Sequence, residues 1–315
     1  MRALTIWTNF HLSDDKLASL RHEVEPHELI YSSSATDPEL ARADIAFGQP
    51  DPQQVIELTK LRWVQISSAG YTKYDREDLW QALRSRGAVL TNSSSVFDEP
   101  CAQHLLAMIL SMTRQLPAAL DNQRGPRSWT VDQIRAESRL LKGQHVLLVG
   151  FGAIGRRLSE MLRPFGVEMI GVRRSPKGDE PIRVVAVDQG DEFLAWADHV
   201  VDILPLSPST ANFFSAERFA RLRPTALFYN IGRGRTVDQD ALHSALASHK
   251  LAGAYLDVTT PEPLPPDHPL WTTKNCCITP HTGGGHLNER DRQVEHFVQN
   301  LKRFEGGQRL LDRVI

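Results

Sequence analysis

The sequence predicts an α/β protein built from two parallel-sheet domains. Three observations carry this. The chain has 315 residues, room for two cores of ordinary size. Short apolar runs alternate with polar helical stretches along most of its length, the βαβα pattern of parallel sheets. At residues 146–155 a strand, a glycine-rich turn and the start of a helix follow one another directly.

Residues 1–95 hold the first alternation. Strands are expected at 4–7, 29–31, 45–47, 63–66 and 88–90, where aliphatic, aromatic and β-branched residues cluster. Helices are expected between them, from a Ser13 cap to about residue 22, at 52–60 and at 75–86. This domain lacks a glycine fingerprint, so it is not expected to hold a nucleotide. Its most informative loop is Ser67-Ser68-Ala69-Gly70, directly after the strand ending at Ile66. Ligands of open α/β sheets bind off the carboxyl ends of strands. Small residues there leave backbone N–H groups free to hold an anion, although an ordinary glycine turn would read the same way.

A long helix is expected over 96–115, with Asp98, Glu99 and Pro100 in its first turn. It is apolar on more than one face and should be buried. The stretch 117–139 reads as a polar, irregular arm with Gly125, Pro126 and Trp129. An exposed tryptophan on such an arm is expected to pack on a partner subunit or over a cleft.

The second domain is organised around residues 146–149, a β-branched and aliphatic run that reads as a buried parallel strand. Gly150, Gly152 and Gly155 follow in G-x-G-x-x-G spacing, and an amphipathic helix continues over 156–165. The first glycine permits the tight turn. The second lets a pyrophosphate approach the backbone. The third lets helix and strand pack closely, with the helix N-terminus facing the phosphates. In this context the spacing implies a Rossmann-like dinucleotide site. Further strands are expected at 167–172, 184–187, 200–204, 226–230, 253–258 and 276–279, and helices at 192–197, 215–222 and 238–248. A last helix, 289–304, precedes a tail at 310–315 that could return to the first domain. The expected organisation is one discontinuous, flavodoxin-like domain, 1–95 plus 286–315, with the dinucleotide domain, 96–285, inserted in it.

Composition narrows the function. A net charge of -2 offers no electrostatic case for nucleic acid or an anionic membrane as partner. No apolar run reaches the roughly 18 residues of a spanning helix, and the apolar start of the chain is too short for a signal peptide. Cys101, Cys276 and Cys277 form no C-x-x-C pattern, so neither a disulfide framework nor a metal site is expected, and a cytoplasmic location is the simplest reading.

The end of the second strand reads Gly171-Val172-Arg173-Arg174-Ser175. NAD-binding versions of this fold place an acid there for the ribose 2′-hydroxyl. Two arginines stand in its place, suited to a 2′-phosphate, and no carboxylate is seen to oppose them. NADP(H) is therefore the expected cofactor, with NAD(H) possible.

Three polar residues sit just past expected strand ends: Arg233 in Asn230-Ile231-Gly232-Arg233-Gly234, Glu262 in Thr260-Pro261-Glu262-Pro263, and His281 in Thr279-Pro280-His281-Thr282-Gly283. Singly, each has a bland reading: a surface arginine, a solvated acid, a loop histidine. Together, and with Leu204-Pro205-Leu206-Ser207-Pro208-Ser209-Thr210 and the glycine turn, they resemble the D-isomer-specific 2-hydroxyacid dehydrogenase family, in particular its glyoxylate/hydroxypyruvate reductases. The resemblance covers most of residues 60–305.

That resemblance implies two Rossmann-like domains with the active site in the cleft between them, and a homodimer. It implies that His281 exchanges a proton with the substrate oxygen, that Glu262 hydrogen-bonds His281 and favours its protonated form, and that Arg233 binds the substrate carboxylate. Ser68, Ala69 and Gly70 would hold the same carboxylate through their backbone. Around the cofactor it places Gly150, Gly152, Ala153, Ile154 and Gly155 at the turn, while Arg173, followed by Arg174, stands at the ribose in place of the acid and is the larger departure from the family. Pro205, Thr210, Ile231, Gly232 and Gly284 would line it, and Asp257 would face the nicotinamide amide. Gln103-His104 departs from the Glu-His that many members carry. The expected reaction is hydride transfer from NAD(P)H to a small 2-keto acid. The alternatives are a bulkier 2-keto acid or phosphoglycerate, or a non-catalytic nucleotide-sensing protein.

Overall fold

The computed structural model describes residues 2–315; Met1, the first residue of the expected N-terminal domain, lies outside the described residues. The chain divides into two compact units, Met1–Phe97 with His286–Ile315, and Asp98–Gly285. Each is an α/β unit on a parallel sheet, as the alternating pattern predicts.

In the first unit the elements are β1 (Thr5–Thr8), α1 (Asp14–Glu23), β2 (Glu28–Tyr31), β3 (Ile45–Gly48), α2 (Pro52–Glu57), β4 (Trp63–Ile66), α3 (Glu77–Ser85) and β5 (Val89–Thr91). The five strands are ordered β2-β1-β3-β4-β5, all parallel. This is the flavodoxin-like order. Side chains alternate across the sheet as the period of two demands. Ile6, Ile45, Phe47 and Trp63 enter one core with Leu17, Leu20 and Phe297. Trp7, Ala46, Val64 and Ile66 enter the other with Leu79 and Leu83. Both faces are covered, which is why these strands read as continuous apolar runs.

The chain continues through α4 (Ser94–Thr113), α5 (Leu116–Arg124), α6 (Val131–Glu137), β6 (His145–Val149), α7 (Ala153–Leu162), β7 (Glu168–Arg173), β8 (Arg183–Ala186) and α8 (Val187–Gly190). Then follow β9 (His199–Asp202), α9 (Ala216–Ala220), β10 (Leu227–Asn230), α10 (Gln239–Ala247), β11 (Gly253–Leu256), β12 (Cys276–Ile278) and α11 (Glu289–Glu305). The second sheet has seven parallel strands in the order β12-β11-β10-β9-β6-β7-β8. The order reverses between β6 and β9, and the glycine turn lies at the carboxyl end of β6, at that switch point.

Three expectations need correction. The stretch 117–139 is not irregular: it carries α5 and α6. Its composition hid them because neither helix buries a residue fully, so no apolar stripe marks them. The long helix begins at Ser94 and carries Pro100 within it, not in a first turn with Asp98. Pro100 is the seventh residue of the helix, past the four N–H groups that lack helical partners, so it removes one bond of the ladder. The helix placed at 192–197 is instead α8 at Val187–Gly190, followed by a 3-10 turn at Asp191–Phe193.

The tail does return to the first sheet. Arg313 bridges Thr91 antiparallel, and the Val314 N–H donates to the Leu90 carbonyl at 2.8 Å. A buried polar network fastens it. Gln65 Nε2 lies 3.0 Å from His296 Nδ1 and Gln65 Oε1 accepts from Asn300 Nδ2 at 3.0 Å. His296 Nε2 lies 3.1 Å from Asp312 Oδ2, which also accepts the Ser95 N–H at 2.8 Å and hydroxyl at 2.7 Å. Burial pushes the Asp312 carboxyl up, but His296 and Ser95 outweigh it and hold it below the usual carboxylate range. A depressed acid stabilises the fold above its unfolded value and loses that contribution as pH falls. Asp312→Ala should therefore cost roughly 2–4 kcal/mol of unfolding free energy at neutral pH. In urea melts the gap to the parent chain should shrink below about pH 4.

Candidate active site

The glycine turn is built for a close approach. Gly150 has φ +98°, and a Cβ there would lie 2.6 Å from the Ile203 carbonyl carbon. Gly152 faces the other way: nothing lies within 4 Å of where its Cβ would be, at the N-cap of the ten-residue helix α7. The open cradle and the free N-terminal N–H groups fit a pyrophosphate. Ala153 is exposed beside Gly152, Ile154 is half-buried, and Gly155 is buried under Phe151.

At the end of β7 the structure corrects the reading that no carboxylate opposes the arginines. Arg173 Nη1 donates to Glu180 Oε1 at 3.2 Å. Glu180 also accepts the N–H groups of Lys177 at 2.7 Å and Gly178 at 2.8 Å, and these bonds hold its carboxyl below the usual range. The acid comes from the loop directly after β7, folded back on Arg173. Much of its charge is taken up by backbone donors, and the half-buried Arg173 keeps donors beyond Nη1. Arg174 is exposed.

Arg233, Glu262 and His281 lie on the loops that follow β10, β11 and β12, which are neighbours in the sheet. Their loops emerge from one edge of it. His281 Nδ1 lies 2.9 Å from Glu262 Oε2. Both side chains are partly exposed, His281 by 52% and Glu262 by 39%, so the pair is open to a ligand. The His281 backbone is left-handed, φ +54°, and is held there by its N–H bond to the Asp257 carbonyl at 2.8 Å. The Arg233 side chain is half-buried and donates to the Gly232 carbonyl at 2.6 Å. Its loop packs against both neighbours. A Cβ on Gly234 would fall 1.8 Å from the Thr259 carbonyl oxygen, and one on Gly283 would fall 2.5 Å from Ile231 Cδ1. That is the physical reason for the Arg-Gly pair.

The other expected residues fall as follows. Gly232 and Ile231 are buried in the Arg233 loop, and Gly284 is half-buried beyond His281. Pro205 is exposed, and Thr210 spends its hydroxyl on the Pro205 carbonyl at 2.6 Å and the Ser207 N–H at 2.7 Å, closing its own loop. Both Asp257 oxygens serve the His281 segment: Oδ1 accepts the Thr279 hydroxyl and the Thr282 N–H, and Oδ2 accepts the Gly283 N–H. Trp129 is 94% exposed. Gln103 bonds Glu99 at 2.6 Å, and His104 packs on the Tyr255 ring at 5.7 Å.

In the first unit, Ser68, Ala69 and Gly70 form a half-buried loop after β4. The Ser68 hydroxyl bonds the Gly70 carbonyl at 2.7 Å, and Asn92 Nδ2 holds the Ala69 carbonyl at 2.7 Å. Gln49 Nε2 reaches the hydroxyls of Ser67 at 3.2 Å and Ser68 at 3.1 Å. With the carbonyls tied back, the backbone N–H groups are left for an anion.

Sequence reasoning missed Asp202, Asn230 and Thr236, which support the Arg233 loop from below. The signal was present: a lone polar residue closes each of the apolar runs of β9 and β10.

Gly234→Ala should displace the Arg233 loop and lower kcat/KM at least about a hundredfold, the cost of roughly an ångström of misplacement. Circular dichroism should stay close to that of the parent chain. Near-normal kinetics would mean that the Thr259 contact does not set the loop.

Residues 106–283 match the D-isomer specific 2-hydroxyacid dehydrogenase, NAD binding domain. The chain is 36% identical over 223 residues to the glyoxylate reductase/hydroxypyruvate reductase of Homo sapiens, covering 70% of this chain and 67% of that one. It is 31% identical over 302 residues to glyoxylate/hydroxypyruvate reductase B of Escherichia coli, covering 92% and 91%. It also superposes on a D-isomer specific 2-hydroxyacid dehydrogenase of Xanthobacter autotrophicus, solved in complex with NADPH and MES, with TM-score 0.83 and 27% identity over 100% of this chain and 98% of that one. The chain therefore belongs to the D-isomer specific 2-hydroxyacid dehydrogenase family and is an oxidoreductase with that family's NAD binding domain.

Proposed function

We propose that this enzyme reduces a small 2-keto acid, of the glyoxylate or hydroxypyruvate kind, to the D-2-hydroxy acid, with NADPH preferred to NADH. The observation that carries the reading is the His281–Glu262 pair at 2.9 Å on loops packed against that of Arg233. The human and Escherichia coli relatives bear the names of glyoxylate/hydroxypyruvate reductases, and the Xanthobacter relative was solved with NADPH.

In this reading the nicotinamide, when bound, supplies the hydride. Gly150, Gly152 and the N-terminus of α7 hold the pyrophosphate, Arg173 and Arg174 the 2′-phosphate, and Asp257 the carboxamide with the lone pairs its own loop leaves free. Arg233 binds the substrate carboxylate through its planar fork and polarises the keto oxygen. In the first unit, the Ser68–Gly70 backbone N–H groups are suited to an anion such as a carboxylate. Because Nδ1 of His281 faces Glu262, Nε2 is the nitrogen left to give a proton to the keto oxygen as it becomes a hydroxyl. Glu262 orients the ring and compensates its positive charge. In oxidation the same nitrogen takes the proton back. The small-acid preference follows the named relatives. The three free thiols suit a cytoplasmic enzyme. The exposed Trp129, with Leu116 and Leu120, offers an apolar face suited to a second copy in a homodimer.

Initial rates of NADPH and NADH oxidation with glyoxylate, hydroxypyruvate, pyruvate and a bulkier keto acid test this directly. NADPH with a two- or three-carbon acid should be fastest. Arg173→Ala should then erode the NADPH preference about ten- to a hundredfold, the worth of a charge-assisted hydrogen bond. Turnover with NADH alone would sink the cofactor proposal. His281→Ala should lower kcat by about 10²–10⁴ with NADPH binding retained. Undiminished turnover in that variant would remove His281 from the chemistry.

A further inference from the structure

Asp202, the last residue of β9, is wholly buried, and no ion pair to it exists among the described residues. Its strand neighbours in register are Val149 on β6 and Asn230 on β10, both uncharged. The charged members of the loop above it are Arg233, whose guanidinium turns to the Gly232 carbonyl, and Arg235, which is exposed. An ionised carboxylate in such a place is costly.

The contacts of Thr236 bear on which form is present. Thr236 Oγ1 lies 2.6 Å from Asp202 Oδ2 and 2.6 Å from the Arg233 carbonyl oxygen. A carbonyl only accepts, and a hydroxyl has one proton. Two contacts this short need two protons, and the second can sit only on the carboxyl. The chain then runs from Asp202 Oδ2–H to Thr236 Oγ1, and from Thr236 O–H to the Arg233 carbonyl. The other oxygen, Oδ1, accepts the Leu204 N–H at 3.0 Å. Asn230 Nδ2 gives the Arg233 carbonyl its second bond at 3.0 Å.

We propose that Asp202 is a positioning residue of this active site that works in its protonated form, holding the Arg233 backbone in place through Thr236. This rests on the reading of Arg233 as the group that binds the substrate carboxylate. Burial acts in the same direction, pushing the Asp202 carboxyl up to about 7 and outweighing the Leu204 N–H bond. Ionisation removes one of the two protons. Thr236 must then give up either Asp202 or Arg233, and the loop loses a support as pH rises through neutrality.

The test has parts that do not depend on catalysis. The infrared spectrum of the free protein below neutral pH should contain a protonated-carboxyl carbonyl band that Asp202→Asn lacks and that fades as pH rises. Identical spectra for the two proteins would overturn the proposal. The stability sign also follows. An acid whose folded value lies above its unfolded value loses stability as pH rises between the two. The thermal stability of Asp202→Asn relative to the parent should therefore climb from about pH 4 to about pH 7 and then level off. Asp202→Leu and Thr236→Val should each raise the KM for glyoxylate about tenfold, the scale of one or two hydrogen bonds. Asp202→Asn, which can still donate to Thr236, should recover most of that loss and flatten the rise in KM above neutral pH. A present band with KM unmoved in both Asp202→Leu and Thr236→Val, while Arg233→Ala raises it, would overturn the positioning role. If Arg233→Ala also leaves KM unchanged, the reading of Arg233 fails instead, and the band still decides the state of Asp202.

Discussion

The Asp257 carboxylate accepts three hydrogen bonds from the segment that carries His281, and the geometry of this end of the sheet follows from them. The Thr279 hydroxyl donates at 2.6 Å, and the N–H groups of Thr282 and Gly283 donate at 2.9 Å. Between these anchors His281 is held with a left-handed backbone. A residue other than glycine pays about 1–2 kcal/mol for that conformation. Hydrogen bonds to a charged acceptor contribute about 1.5–3 kcal/mol each, so the clamp outweighs the strain. The imidazole is thereby brought to Glu262.

Asp257 is one of a row. Asn230 stands opposite Asp202 in the register of β9 and β10, and the Asp257 N–H donates to the Asn230 carbonyl. Asp202 and Asn230 close apolar strands and turn their side chains to the loops that follow, while Asp257, one residue past β11, turns its side chain to the loop after β12. Asp202 takes the Leu204 N–H and Asn230 the Gly232 N–H, both two residues on. This is the local habit of Asx residues at turns. A parallel strand buried on both faces has no solvent to satisfy the N–H groups where its ladder ends. Short polar side chains at the carboxyl ends supply the partners. The loops so braced include those that carry Arg233 and His281.

The first unit uses the same device on a smaller scale. Asn92 Oδ1 accepts the Ser94 N–H while its amide holds the Ala69 carbonyl. Its interior also contains the network of Gln65, His296, Asn300 and Asp312, which joins β4, α11 and the tail. The four members come from three separate stretches of chain, His296 and Asn300 lying one turn apart on α11.

Much was legible before any coordinates. A buried parallel strand is a run of apolar residues, a Gly-rich turn has a fixed spacing, and strand ends open onto ligand sites. Those local rules placed the two sheets, the dinucleotide turn, and Arg233, Glu262 and His281 past consecutive strands. They failed on α5 and α6, where no fully buried residue writes a stripe into the sequence, and on the start of α4. The sequence by itself determined which segments are strands and which glycines must lack a side chain. Only the tertiary structure decided that Glu180 pairs with Arg173, that Asp202 shares a proton chain with Thr236 and Arg233, and that Asp257 clamps the His281 segment. Glu180 lies only a few residues past Arg173, but the Asp202–Thr236 and Asp257 contacts join residues far apart in the chain. Their existence depends on backbone paths that converge only when the sheet is complete.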